Sequence, residues 1–304
     1  MEHVESERFR NSKLQLFSRL KLKNIFPGEW ESIYTGEGIE FAASKPYEPG
    51  DDLRDLDLQT LVQSGEEEII LRAVGRQRKI YLWVDLSGSM QRFPEMFFSQ
   101  KPEIRDTAVG LLAFSAWNAY SPVGLCVFDR EIRQFFPARS GESYCEEIVG
   151  WFLDHADESA KGSADIPGAL AFLEERISPQ SLVLFISDFQ DILFEGDFAH
   201  LLRPAAKKFD FIPVVVQDPL EHGTALKQSV VIAVRDSETD RRAEITLTPQ
   251  KLEEIRESSA RHLAHLKWSF LEVGLEHIVL DSATIEDCYR TLSSFFEARK
   301  RTRG

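Results

Sequence analysis

The stretch "KIYLWVDLSGSM", Lys79 to Met90, runs an apolar segment straight into the carboxylate of Asp85 and then sets Ser87 and Ser89 at alternate positions beyond it. A short apolar run without polar alternation is the pattern of a strand covered on both faces, as in parallel sheets flanked by helices. The chain beyond it keeps that rhythm. "EIRDTAVGLLAFSAWNAY" follows at helical period, then the apolar "PVGLCVFD" and "REIRQFFP", the helical "SYCEEIVGWFLDHA" and "IPGALAFLEERI", the apolar "SLVLFISD", the helical "FAHLLRPAAKKF" and the apolar "DFIPVVVQD". Strands alternating with helices imply right-handed crossovers onto a parallel sheet. The expected fold is α/β, a doubly wound and mostly parallel sheet. "VGLCVFD" and "REIRQFF" are close enough to pair as a hairpin, which predicts one antiparallel strand at or near an edge.

Outward from this core the pattern changes. Residues 1–78 show no sustained helical period and read as an N-terminal extension of short strands and turns carrying "YEPGDDLRDLD"; residues 79–304 read as the sheet domain. Within that domain "SVVIAVRDSETDRRAEITL" is expected to form a hairpin insertion around 229–247, followed by the amphipathic "TPQKLEEIRESSARHLAHL". The last helix, "SATIEDCYRTLSSFFEARK", is expected to be capped by Asp281 or Ser282, with the basic "ARKRTRG" fraying as a solvated tail. His262 and His265 lie three apart on a helix and are expected at the surface.

Composition narrows the function classes. With 36 Lys+Arg against 50 Asp+Glu the net charge is -14, which sets aside nucleic-acid wrapping as the main activity and suits a basic partner. Cys126, Cys145 and Cys288 lack metal-ligand spacing, and Cys126 sits in an apolar run like a core residue, which suggests a reducing compartment. The N-terminus is charged from its second residue, without the apolar core of a signal peptide, and no run approaches the roughly 18 apolar residues of a membrane span. A cytoplasmic protein is expected.

The chemistry is expected at the strand ends. In an open parallel sheet, ligands bind beyond the carboxyl ends of the strands, where loops and helix N-termini converge. Asp85 stands at one such end, and Ser187 and Asp188 stand at another in "SLVLFISDFQD". Asp85, Ser87, Ser89 and Asp188 form an oxygen-rich set suited to Mg2+, with Mn2+ or Ca2+ as alternatives, because a hard cation takes carboxylates, hydroxyls and waters. The bland account is a helix cap and hydroxyl turns after a strand. For "YEPGDDLRDLD" it is a Pro-Gly surface turn with local ion pairing.

"DLSGSM" resembles the metal-ion-dependent adhesion site, Asp-x-Ser-x-Ser, of von Willebrand factor A domains, and Tyr47, Pro49, Gly50, Asp51, Asp52 and Arg54 match a segment of the bacterial family called domain of unknown function fifty-eight. Two positions depart from the pattern: Leu58 stands in a Trp slot, and Ala164, in "GSADIPGAL", stands where A domains place a metal-binding Thr, leaving Ser163 as the nearest hydroxyl. The resemblance implies a Rossmann-like A domain and a metal site of Asp85, Ser87, Ser89, Asp188 and Ser163. It also implies a partner surface including Tyr47, Asp51, Asp52 and Arg54. The implied function is a non-catalytic adaptor, working with a MoxR-type AAA+ ATPase in chaperone-like assembly. Its ion, or the remnant of its ion site, would dock an acidic residue of a protein ligand.

The alternative is a Mg2+-dependent hydrolase using Asp85 and Asp188 to activate water. Other enzymes fit poorly. A haloacid dehalogenase needs a second Asp where Ser87 stands, and neither a Gly-x-Ser-x-Gly elbow nor a phosphate-binding loop occurs.

Overall fold

A computed structural model of the chain describes residues 25–26, 41–48, 56–72, 78–91, 99–157, 162–190, 198–221, 230–235 and 242–303. The apolar runs become a six-stranded sheet of β3 (Ile80–Asp85), β4 (Val123–Phe128), β5 (Ile132–Arg139), β6 (Leu182–Ser187), β7 (Asp210–Val216) and β10 (Ile278–Leu280), in the order β10-β7-β6-β3-β4-β5. All neighbours are parallel except β4 and β5, the hairpin at the edge. Chain order runs outward one way from β3 and the other way from β6, so these adjacent strands form the topological switch point of a von Willebrand factor A-type, Rossmann-like fold.

Alternation along β3 shows why the run had to be apolar throughout. Ile80, Leu82 and Val84 pack with helices α2 (Lys101–Asn118), α3 (Glu142–His155) and α7 (Ile285–Arg303). Tyr81 and Trp83 face the other layer, α4 (Ile166–Arg176), α5 (Phe198–Lys208) and α6 (Pro249–Glu272). All six β3 residues are buried, and each large side chain so placed contributes roughly 1.5–3 kcal/mol. Gly124 on β4 is required where it stands, since a Cβ would lie 2.6 Å from the Tyr81 ring and 2.8 Å from the Phe136 carbonyl oxygen.

Two small antiparallel ribbons stand apart from this sheet: β1 (Phe41–Pro46) with β2 (Glu68–Arg72), joined through the short helix α1 (Leu58–Ser64), and β8 (Val230–Arg235) with β9 (Arg242–Leu247). Leu58, in the Trp slot, is the first residue of α1.

Three sequence expectations need correction. The cap of α7 is Thr284, whose Oγ1 accepts the Asp287 N–H at 3.3 Å, while Ser282 acts one step earlier by accepting the Thr284 N–H. The basic tail does not begin to fray at Ala298: α7 continues to Arg303, and Arg299 is buried in an ion cluster. His262 is buried, because it shares the inward face of α6 with Leu266 and Phe270 at four-residue spacing.

Candidate functional site at the switch point

Parallel pairing of β3 with β6 brings their carboxyl ends side by side, and with them Asp85, Ser87, Ser89, Ser187 and Asp188. Asp85 is held on both oxygens: Oδ1 accepts the Ser87 N–H at 2.7 Å and Oδ2 accepts the Ser187 hydroxyl at 2.6 Å. Beyond it, residues Gly88–Met90 form a single 3-10 turn. That turn places Ser89 Oγ 3.3 Å from Ser87 Oγ and lets it donate to Asp188 Oδ1 at 3.1 Å. The fully buried Arg105 of α2 pins the turn by donating to the Met90 carbonyl at 2.6 Å.

On the second strand, Phe189 takes φ 55°, a left-handed conformation that costs a non-glycine residue roughly 1–2 kcal/mol. Its ring, buried against Phe185, Phe198 and Phe270, holds that turn in place. The Phe189 N–H donates to Ser187 Oγ at 2.9 Å, the Gln190 N–H to Asp188 Oδ1 at 3.2 Å, and His262 Nε2 lies 3.1 Å from the Asp188 carbonyl oxygen. Asp188 is therefore fixed from its main chain and its side chain.

The loop before α4 closes the third side. Gly162, at φ 107°, accepts the Gly88 N–H through its carbonyl at 3.0 Å, and the Asp165 N–H bonds the Asp129 carbonyl at the end of β4. Asp165 caps α4 by accepting the Gly168 N–H at 3.0 Å. Ser163 is exposed and Ala164 half-buried on this loop. Tyr47, the described member of the expected partner surface, bonds through its N–H to the Glu67 carbonyl. Asp51, Asp52 and Arg54 lie outside the described residues.

What the sequence did not announce is a cation already in place. Lys101, the first residue of α2, extends its Nζ to 2.9 Å from Asp188 Oδ2 and 2.9 Å from Glu221 Oε1, with its side chain 8% exposed. Glu221 belongs to the 3-10 turn Pro219–Glu221 after β7, and the Ser259 hydroxyl holds its other oxygen at 2.8 Å. Burial disfavours the Lys101 ammonium, but the charges of Asp188 and Glu221 outweigh burial and hold its pKa above the ordinary lysine value. Burial pushes the Asp85 carboxyl up to about 7, with the nearby charge of Asp188 adding to it against the hydrogen bonds from Ser187 and Ser87.

Tested against a hard divalent cation, the site is divided. Ser87 and Ser89 offer adjacent hydroxyls beside two carboxylates, which is suitable chemistry. Lys101 is not: two cations sharing one carboxylate stand roughly 4–5 Å apart, where a divalent and a monovalent charge repel by several kcal/mol even at an effective dielectric of about 20. Ala164 also withholds the side-chain oxygen a Thr would supply. The residues as arranged do not fit the ion.

Comparison with known proteins bears on the fold and the family. The family model described as Protein of unknown function DUF58 matches residues 43–265. The chain belongs to this DUF58 family. Among relatives, the uncharacterized protein Rv1480 of Mycobacterium tuberculosis is 22% identical over 291 residues, covering 95% of this chain and 88% of that protein. Among solved structures, the conserved hypothetical protein BatB from Bacteroides thetaiotaomicron is similar at TM-score 0.41 and 14% identity, covering 75% of this chain and 100% of that one. An aerotolerance-related membrane protein from Bacteroides fragilis matches at TM-score 0.41 and 16% identity, covering 71% and 99%. At these values the fold of the DUF58 chain rests on its own strand order. No helix among the described residues is long and apolar enough to cross a membrane.

Proposed function

We propose that this DUF58 protein is a non-catalytic interaction module, an adaptor that presents the strand ends of β3 and β6 to another protein and works with a MoxR-type AAA+ ATPase in chaperone-like assembly. The observation that supports it is the rigid set of hydroxyls and carboxylates at the switch point, where Ser89 remains partly accessible while Asp85, Ser87 and Asp188 are buried beneath it. In an α/β sheet this is where ligands meet the fold. The ATPase enters through the family resemblance alone. An acidic ligand would need an ion to bridge it; without one, this surface of carboxylates and hydroxyls suits a donor.

A hydrolase built on Asp85 and Asp188 would need a metal with an open coordination position, and Lys101 already shares Asp188. Affinity capture with the full chain and with Ser89→Arg tests the adaptor role. Recovery of an AAA+ ATPase with the natural chain, and loss of co-captured protein with Ser89→Arg, is the expected result. Capture without any AAA+ protein counts against the ATPase partnership, and metal-dependent phosphoester turnover abolished by Asp85→Ala would replace the adaptor with the hydrolase.

A further inference from the structure

We propose that the cation of this strand-end site is the Lys101 ammonium, so that the cluster of Asp85, Ser87, Ser89 and Asp188 is complete without a divalent metal. The position of Lys101 is itself the first reason. It opens an 18-residue helix, the end where the aligned peptide dipoles already carry partial positive charge and where anions rather than cations are favoured. A lysine buried there needs a specific counter-charge, and it has two, Asp188 Oδ2 and Glu221 Oε1, both at 2.9 Å.

The second reason is that the counter-charges are anchored independently. Asp188 is held by Ser89 and Gln190 at its other oxygen and by its own carbonyl near His262. Glu221 is held by Ser259, and the same end of α2 is tied to the β7 turn by the Gln100 N–H donating to Asp218 Oδ2 at 2.8 Å. Three elements thus converge on one ammonium: the end of β6, the turn after β7 and the start of α2. An ion arriving at Asp188 would have to displace Lys101 from this frame or tolerate it.

The third reason is the loss of a donor on the opposite side. Ala164 has no side-chain oxygen, and Ser163 next to it is exposed on a loop already fixed through Gly162 and Asp165. An internal cation on one side and no metal-binding hydroxyl on the other are what a site would show if it kept its architecture and dispensed with the ion. Docking at this surface would then be insensitive to chelators.

The test is titration calorimetry of the chelator-stripped full chain with Mg2+ and with Mn2+, together with Lys101→Arg, Lys101→Met and the double variant Lys101→Met/Ala164→Thr. The natural chain and Lys101→Arg should give no saturable heat at millimolar ion. The double variant should bind Mn2+ roughly tenfold or more tightly than the natural chain, because the repulsion is gone and a donor restored. Saturable one-to-one binding by the natural chain, lost in Asp85→Ala, would overturn the proposal, as would a folded double variant that gains nothing. Should the Lys101→Met variants fail to fold, the natural chain, Lys101→Arg and Ala164→Thr decide: binding by any of them refutes the proposal, and silence in all three, with the hydroxyl donor restored in the last, upholds it.

Discussion

At the N-terminal end of the sheet Asp210, the first residue of β7, is gripped by two guanidiniums, whereas at the C-terminal end a single ammonium serves two carboxylates beside a third. Arg299 meets Asp210 in a two-pronged contact at 2.7 and 3.3 Å and reaches Glu276 at 2.6 Å, and Arg78 adds a bond to Asp210 at 2.8 Å. Among the described residues, these two cations face two anions and lock α7 to the start of β7. The other end has Lys101 against Asp188 and Glu221, with Asp85 close by. Balanced charge reads as structural; the excess of carboxylate marks the end that demands something more, and in this chain the demand is met by Lys101 and by a raised pKa at Asp85.

The difference can be broken from the structural side first. Arg299→Ala strips the main counter-charge from Asp210 and Glu276 and should cost about 3 kcal/mol in urea unfolding, in line with removing one partner of a buried pair. Divalent ions should recover none of that loss. Lys101→Met should cost a similar amount, about 3 kcal/mol, since it leaves the buried Asp188 without its ammonium while Glu221 retains its Ser259 hydrogen bond and is 14% exposed. Here Mn2+ should restore part of the loss, because the vacated carboxylates can take an ion. Equal recovery by Mn2+ in both variants, or in neither, would erase the distinction between the two ends.

Titration supplies a finer probe. The Asp85 carboxyl is raised from an ordinary value of 3.8 to about 7 by burial and by Asp188, so between those values the folded state holds a proton the unfolded state has lost. Its contribution to stability is therefore full below about pH 4 and declines as pH rises, being lost by about pH 7. Asp85→Asn fixes the neutral form. It should flatten this slope and be more stable than the natural chain by roughly 1–2 kcal/mol at about pH 8. Parallel stability curves for the two proteins between pH 4 and 7 would show that Asp85 titrates normally.

These contrasts also explain what the sequence could reveal. β3 and β6 were legible because strands buried on both faces must be apolar throughout, and Asp85, Ser87, Ser89 and Asp188 were legible because a strand-end motif is local. Lys101 was not: "KPEIRD" reads as an ordinary charged helix start, and its carboxylates arrive from residues 188 and 221, brought near only by the strand order. His262 was misjudged because a three-residue spacing with His265 was read instead of its four-residue spacing with Leu266 and Phe270. The third strand end did carry a signal, since "VVVQDPLE" ends β7 in two acids, but only the fold shows that Asp218 steadies α2 while Glu221 binds its lysine.

The smallest effect separates the two departures from a metal site. Ala164→Thr on its own restores the missing hydroxyl but leaves the ammonium on Asp188, so it should change stability by no more than about 0.5 kcal/mol and leave calorimetric Mn2+ titrations as flat as those of the natural chain. The position is half-buried against the α4 side of the core and stands outside the fully buried interior, which is why the expected change is small. Were Ala164→Thr alone to bind Mn2+, the missing donor rather than the lysine would be what keeps the site empty of metal, and Lys101 would join Arg299 as a purely structural cation.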